Sequence, residues 1–368
     1  MVLASRSETE ESKIKKLKSI PVPDISGGKN GRGRSVNIKQ LAAHLGLSQT
    51  TVSRVMNASA TEYRISTDTQ QRVRAAAASL NYEPNAFARG LRKKRSFTVG
   101  VMVPEISEGY AATVLAGIGD SLLQEKFFYF VVSHRHRSEL LQSYPRLLLS
   151  RGVEGIIAVD TPIQDDLPVP IVAVSGNSKT NGILTIELDH QTAARLALTH
   201  LLELGHKRIA FIKGQTFSAD THARWEGIRK VCFELGIPIR PELVVQLEGI
   251  EGSEPGYVAT KKLLQQGGQF SAIFTFNDIS AIGAITALHE AGISVPAKVS
   301  IIGFDDISSA ATNNPALTTV RQPLYEMGRT AATTLMREIC EGRTDGAAES
   351  ILVSPCLIKR RSTSKAAH

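Results

Sequence analysis

The chain has 368 residues, 42% apolar and 21% charged, enough for two or three domains and a sizeable buried core. Its three cysteines, Cys232, Cys340 and Cys356, are odd in number and far apart, which argues against a disulfide framework or a paired-cysteine zinc site and for a reducing cytosol. No apolar stretch approaches the ~18 residues of a membrane-spanning helix, and Met1 to Ile20 mixes Glu8, Glu10 and Glu11 with lysines where a secretory signal needs an apolar run.

The formal net charge of +8 is unevenly spread. Residues 1–96 hold 18 Lys/Arg and 7 Asp/Glu, a net of +11, whereas residues 97–368 hold 25 and 28, a net of −3. Positive charge concentrated in the first quarter suggests a nucleic-acid or acidic-membrane contact made by that quarter.

Residues 1–34 are rich in Ser, Lys and Gly and read as a flexible basic leader, since such residues bury too little apolar area to offset their ordering entropy. From Val36 the texture changes. Asn37 and Gln40 form a capping-box pattern ahead of Ile38, Leu41, Ala42 and Leu45, and Gly46 supplies a left-handed C-cap. Ser48 caps a second helix, Gln49 to Asn57, with Val52, Val55 and Met56 as its apolar face. Ser66 caps a third, with Val73, Ala76, Ala77 and Leu80 inward. Two short helices around a Gly-containing turn, followed by a third, predict a helix-turn-helix head over residues 35–83. Residues 84–96 predict a linker with a short conditional helix beginning at Pro84, too short to pass the nucleation cost alone. It ends in Arg92-Lys93-Lys94-Arg95.

Beyond Phe97, strands and helices alternate. Strands are expected at Thr98–Val103, Phe127–Ser133, Gly155–Val159, Ile171–Val174 and Ile183–Ile186, then at Arg208–Ile212, Leu243–Gln246, Ala272–Thr275 and Val299–Gly303. Helices are expected at Ala111–Gln124, Leu140–Leu149, Gln191–Leu204, His222–Leu235, Pro255–Gln265 and Asp278–Ala291. Such alternation means parallel sheets with helices on both faces, here two consecutive α/β lobes over residues 97–362 and a tail at 363–368. Ligands in such folds sit at the carboxyl ends of the strands, which puts a site in the interlobe cleft.

Several stretches together are similar to one family. They are Val36-Asn-Ile-Lys-Gln-Leu-Ala-Ala-His-Leu-Gly-Leu-Ser-Gln-Thr-Thr-Val-Ser-Arg-Val-Met-Asn57, Tyr82-Glu-Pro-Asn-Ala-Phe-Ala-Arg-Gly-Leu91, Val99-Gly-Val-Met-Val-Pro104, His200-Leu-Leu-Glu-Leu-Gly-His-Lys-Arg-Ile-Ala-Phe-Ile212, Arg224-Trp-Glu-Gly227, Ile302-Gly-Phe-Asp-Asp306 and Leu317-Thr-Thr-Val-Arg-Gln-Pro323. In this order, across roughly residues 35–362, the chain resembles the lactose-repressor (LacI) family of bacterial transcription regulators. The resemblance implies an all-α helix-turn-helix head, a hinge helix, and a two-lobed domain like periplasmic sugar-binding proteins. It also implies a homodimer on a palindromic operator, a small-molecule effector, most simply a sugar or sugar derivative, and a cytoplasmic location. The chain stops at His368 without a leucine heptad, so a dimer rather than a tetramer is expected.

Physical reasoning distributes the head's roles. A recognition helix enters the major groove N-terminus first, so Gln49, Thr50 and Arg54 are candidates for base edges; Arg54 can pair bidentately with guanine and Gln49 with adenine. Ser48, Thr51, Ser53 and Asn57 are short polar groups suited to phosphates, with capping or solvent exposure as the plainer role for Thr51 and Ser53. The resemblance assigns Ala88, Leu91 and Arg92 to a hinge in the minor groove, Leu91 as the wedge between base steps. In the cleft it assigns Arg224, Asn277 and Asp305 to the effector, with Asn277-Asp278 equally suited to capping a helix.

The departures matter as well. The loop Ala58–Ile65 is a few residues longer than the family's usual one, and its Tyr63 and Arg64 add either a phosphate contact or only surface. Glu108-Gly109-Tyr110 and Ser175-Gly176 replace common family motifs. Near Glu251 the aromatic that many members stack on a sugar or base is missing, which weakens a sugar effector and admits a sugar phosphate or acid, given Arg224. A protein co-regulator of the carbon-catabolite kind, or regulation without a ligand, are the alternatives. His134 and His136, flanking Arg135, read as a solvated loop rather than a metal site. An enzyme is not expected, because the chain lacks a Gly-x-Ser-x-Gly elbow, a Gly-x-x-x-x-Gly-Lys loop and a His-Glu-x-x-His helix; no cofactor or metal is called for.

Overall fold

The computed structural model describes residues 36–57, 63–83, 95–106, 109–163, 166–176, 183–249, 253–342 and 350–366. They divide into two compact units, residues 1–94 and 95–368. Residues 1–34 and the hinge positions Ala88, Leu91 and Arg92 lie outside the described residues.

Among its described residues the first unit holds the helices α1 (Ile38–Leu45), α2 (Gln49–Met56) and α3 (Thr67–Ser79). The capping box is formed: the Gln40 backbone N–H donates to Asn37 Oδ1 at 3.0 Å, and the Asn37 N–H donates to Gln40 Oε1 at 2.9 Å. Gly46 ends α1 at φ +64°, a conformation that costs glycine little. Ser48 and Ser66 cap α2 and α3 through the N–H groups of Thr51 and Thr69. Leu41, Ala42, Val52, Val55, Val73, Ala77 and Tyr82 close a small core between the three helices.

The second unit carries twelve strands among its described residues. The first sheet runs β11-β5-β4-β3-β1-β2, from β1 (Thr98–Val103), β2 (Phe128–Ser133), β3 (Gly155–Val159), β4 (Ile171–Val174), β5 (Leu184–Leu188) and β11 (Ser350–Val353), all parallel. The second runs β12-β10-β9-β8-β6-β7, from β6 (Ile209–Lys213), β7 (Val244–Gln246), β8 (Ala272–Thr275), β9 (Ser300–Asp305), β10 (Thr318–Arg321) and β12 (Cys356–Ile358). Its pairs are parallel except that β12 runs antiparallel to β10. The helices are α4 (Tyr110–Gln124), α5 (Ser138–Ser150), α6 (His190–Glu203), α7 (Ala219–Leu235), α8 (Glu254–Gln265), α9 (Asp278–Glu290), α10 (Ser308–Thr312) and α11 (Leu324–Glu341). Each sheet has an apolar layer on both faces, as continuous Val/Ile-rich strands require. Among the described residues no helix is long and apolar enough to cross a membrane.

The two lobes expected from the sequence are interlaced in the chain. After β10 in the second lobe the chain returns: α11 packs Leu324, Met327, Ala331 and Leu335 into the core of the first sheet. Then β11 joins that sheet and β12 crosses back to the second. Helices α4 and α11 meet at Gly117 and Gly328, where a Cβ on Gly117 would overlap the Tyr325 carbonyl and one on Gly328 the Val114 carbonyl. The segment expected as a tail is fastened instead. His206 Nε2 and the Ser364 carbonyl lie 2.9 Å apart, His200 Nε2 and Thr363 Oγ1 3.1 Å apart, and the Ala366 N–H donates to the Leu204 carbonyl.

In both sheets the chain order reverses direction at the strand that starts the lobe, β1 in one and β6 in the other. Helices leave such a switch point toward opposite faces, and a crevice opens beyond the strands' carboxyl ends.

Candidate nucleic-acid interface and ligand cleft

On α2 the buried residues are Val52, Ser53 and Val55, so the helix turns its other side outward. Gln49 and Thr50 are exposed and Arg54 half-buried, and Thr50 and Arg54, four residues apart, are neighbours on the outward face. At the exposed start of α2, Ser48 Oγ accepts the Thr51 N–H and lies 2.8 Å from Thr51 Oγ1, and the free N–H groups there favour an anion. Ser53 is different. It is 8% exposed, and the Asn57 side chain donates to both its carbonyl and its hydroxyl. It belongs to the packed side of α2, not to the polar surface expected from its type.

The cleft of the second unit gathers residues from the carboxyl ends of strands in both sheets. Glu105, Tyr110, His136 and Asp160 follow β1, β2 and β3, while Phe217, Asp220 and Arg224 follow β6, and Phe276, Asn277 and Asp305 follow β8 and β9. The lobes touch across it: the rings of His136 and Phe217 lie 4.0 Å apart between centroids, tilted by 36°, and Ser218 Oγ donates to Asp160 Oδ2 at 3.4 Å.

Arg224 forms the floor and is 3% exposed. Its guanidinium donates to the Phe276 carbonyl, pairs with Asp220 at 3.3 Å, and lies 3.7 Å from the Phe304 ring centre and 4.4 Å from that of Phe276. Burial pushes the Asp305 carboxyl up to about 7, against the pull of Arg224 and a 2.6 Å hydrogen bond from Gln322. Asp220 is equally desolvated, but His190 and Arg224 outweigh burial and hold it below the usual carboxylate range. Asp305 and Asp306 both have positive φ, +106° and +58°, a strained turn of the kind that clusters at ligand sites. Glu105 Oε2 is buried without a hydrogen-bond partner, so a ligand hydroxyl would relieve a desolvation cost already present.

Asn277 lines the cleft and also caps α9, its Oδ1 accepting from the Ser280 N–H at 2.9 Å. Asp278 is fully buried beneath the floor, where its carboxylate accepts from Thr319 Oγ1 at 2.6 Å and from the Ile307 N–H at 2.9 Å. Gly303 is required beside it, because a Cβ there would overlap Asp278 Oδ1.

A model described as "Bacterial regulatory proteins, lacI family" matches residues 37–85, and one described as "Periplasmic binding protein-like domain" matches residues 198–363. The transcriptional repressor PurR of Haemophilus influenzae is 32% identical, covering 88% of this chain and 98% of the relative. The chain belongs to the LacI family. Catabolite control protein A of Priestia megaterium is 31% identical over 90% of this chain and all of the relative. A crystal structure of the lac repressor dimer bound to operator and the anti-inducer ONPF superposes with a TM-score of 0.80 at 28% identity, covering 90% of this chain and all of that one. This LacI-family chain is a DNA-binding transcription regulator, not an enzyme.

One feature of this LacI-family cleft departs from the sequence reading. The pair His134 and His136 is no solvated loop: His134 is 1% exposed, and His136 lies in the cleft. The cleft lining also includes the aromatics Phe217, 44% exposed and tilted against His136, Phe276 and Tyr110. Nothing in the local sequence marks Phe217, because it follows β6 and meets His136 only through the packing of one lobe against the other. The stretch at Glu251 lies outside the described residues.

Proposed function

We propose that this regulator represses transcription as a cytoplasmic homodimer on a palindromic operator, and that a neutral, polyhydroxylated ligand of the sugar class, bound in the cleft, controls it. Gln49, Thr50 and Arg54 read base edges in the major groove, with Ser48, Thr51 and Asn57 on phosphates. Ala88, Leu91 and Arg92 are assigned to a hinge in the minor groove, Leu91 as the wedge.

The observation that carries the ligand class is the charge of the cleft. Four carboxyl groups line it (Glu105, Asp160, Asp220 and Asp305) against one guanidinium, and that guanidinium is already paired with Asp220 and the Phe276 carbonyl. An anionic ligand would meet more carboxylate than free cation, which disfavours a sugar phosphate or acid. Carboxylates and Asn277 accept and bridge hydroxyl groups, and Phe217 offers an apolar face to the C–H side of a sugar ring.

The test is an anisotropy titration of the full chain on an operator selected from a randomised duplex library, with neutral sugars in one arm and their phosphates in the other. A response to a neutral sugar supports the reading. A response to a phosphorylated ligand alone overturns the ligand class. No response to any small molecule, with a response to a phosphocarrier protein, would favour the co-regulator mechanism.

A further inference from the structure

The guanidinium carbon of Arg54 sits 3.6 Å above the centre of the Tyr63 ring. Tyr63 is 52% exposed, more than a tyrosine recruited to a core would be. Its base is nonetheless fixed. Arg64 turns the chain at φ +51°, Ile65 packs against the head core, the Gln70 side chain donates to the Ile65 carbonyl at 2.8 Å, and Ser66 caps α3 immediately after. An aromatic ring thus sits at the surface, anchored from its C-terminal side, with its face against a candidate base-reading side chain.

We propose that Tyr63 is a positioning residue for operator recognition, holding the Arg54 guanidinium in the orientation that reads a guanine. The inference rests on the assignment of Arg54 as a base reader. Its physical basis is that the two interactions use different parts of the same group. A cation–π contact engages the face of the guanidinium, whereas bidentate pairing with guanine O6 and N7 uses the in-plane N–H fork. A guanidinium laid over a ring keeps its in-plane edge clear of that ring, and the contact restricts a side chain that otherwise loses about 2 kcal/mol of rotamer entropy on being fixed. Fixing it before binding raises affinity for the right base pair without adding a contact to DNA.

The experiment measures affinity of the full chain for its library-selected operator, for half-site point variants and for a random duplex, at one stated salt. Tyr63→Ala should weaken operator binding about two- to fivefold per half-site, in line with the size of an exposed cation–π contact. It should flatten preference at the base pair that Arg54 reads and leave random-duplex affinity unchanged. Tyr63→Phe should behave as the wild type. In an Arg54→Ala background, Tyr63→Ala should have no further effect. A loss in Tyr63→Phe would mean that the hydroxyl contacts DNA directly and would overturn the positioning role, as would additive losses in the double variant or equal weakening on all duplexes. If Arg54→Ala leaves the selected sequence unchanged, the base-reading assignment itself fails. If Arg54→Ala changes the sequence but Tyr63→Ala is silent, the positioning role alone fails.

Discussion

Arg224 and Asp220 face each other one helical turn apart on α7, both nearly sealed from solvent, with the guanidinium held between the rings of Phe276 and Phe304. A cation so placed is a structural element of the cleft floor before it is a ligand contact. Removing it leaves Asp220 and Asp305 buried beside each other without their cation, which typically costs about 3–5 kcal/mol. Arg224→Ala should therefore shift the urea midpoint of the second unit strongly downward. A variant of unchanged stability that merely ignores ligand would show that the arginine serves the ligand and not the fold.

Two buried groups give opposite pH dependences. The His134 ring accepts the His136 N–H at Nδ1, which assigns the proton to Nε2, facing Thr161 Oγ1 at 3.0 Å. A second proton would break the Nδ1 bond, and burial and the neighbouring His136 bring its pKa down to about 4. The folded state then binds fewer protons than the unfolded state between about pH 6.5 and 4, so His134 costs stability as pH falls through that window. Asp305 is raised to about 7. There the folded state binds more protons, so its contribution is best below about pH 4 and is lost as pH rises to 7. Each effect has a ceiling of about 3–4 kcal/mol. The slopes oppose each other, so the measurement is the difference from wild type in denaturation series at pH 4.5 to 8. Asp305→Asn should gain relative stability toward high pH and His134→Gln toward low pH; parallel curves would contradict both assignments.

What the sequence made legible was local. Asn37 and Gln40, or Ser48 and Thr51, carry their meaning within one helical turn, and a strand such as Thr98–Val103 is an apolar run whichever sheet receives it. Membership of a lobe is not local. Helix α11 shows its apolar spacing at Leu324, Met327, Ala331 and Leu335, but only the approach of Gly328 to Val114 reveals that it packs in the lobe the chain had left. The same limit separates Arg224, legible as a cleft residue by family motif, from His136 and Phe217, which are loop residues 81 positions apart brought together by folding. The burial of Ser53 is likewise not legible from its polarity, because it depends on how α2 packs in the head, where the Asn57 amide donates to its hydroxyl.

For the hinge, Leu91→Ala should lower operator affinity and reduce DNA bending while leaving the thermal unfolding of the second unit unchanged, because only the wedge is removed. Circular-permutation gel shifts read the bend. A variant that bends DNA like the wild type would remove Leu91 from the minor groove.

The regulatory coupling can be tested at the two residues that close the cleft. His136 comes from the first lobe and Phe217 from the second, and their tilted ring contact joins the lobes within the cleft. A sugar that takes the Phe217 face must compete with His136 for it, so ligand binding and lobe spacing are linked through this pair. In the proposed reading, lobe spacing acts on the conditional hinge helix, which is too short to be stable alone and so responds to small changes. Coupling of this kind is reciprocal: operator DNA must change ligand affinity by the factor by which ligand changes operator affinity, typically 5–150-fold, or about 1–3 kcal/mol. Phe217→Ala should weaken the neutral-sugar ligand by roughly tenfold or more, since it removes an aromatic stacking face, while operator affinity without ligand stays within about twofold. Calorimetry of the ligand with and without operator, on wild type and Phe217→Ala, measures all four affinities of the cycle. Equal ligand affinity in the free and operator-bound wild type would show that the cleft binds without regulating, and an unchanged ligand affinity in Phe217→Ala would put the ligand elsewhere than against this ring.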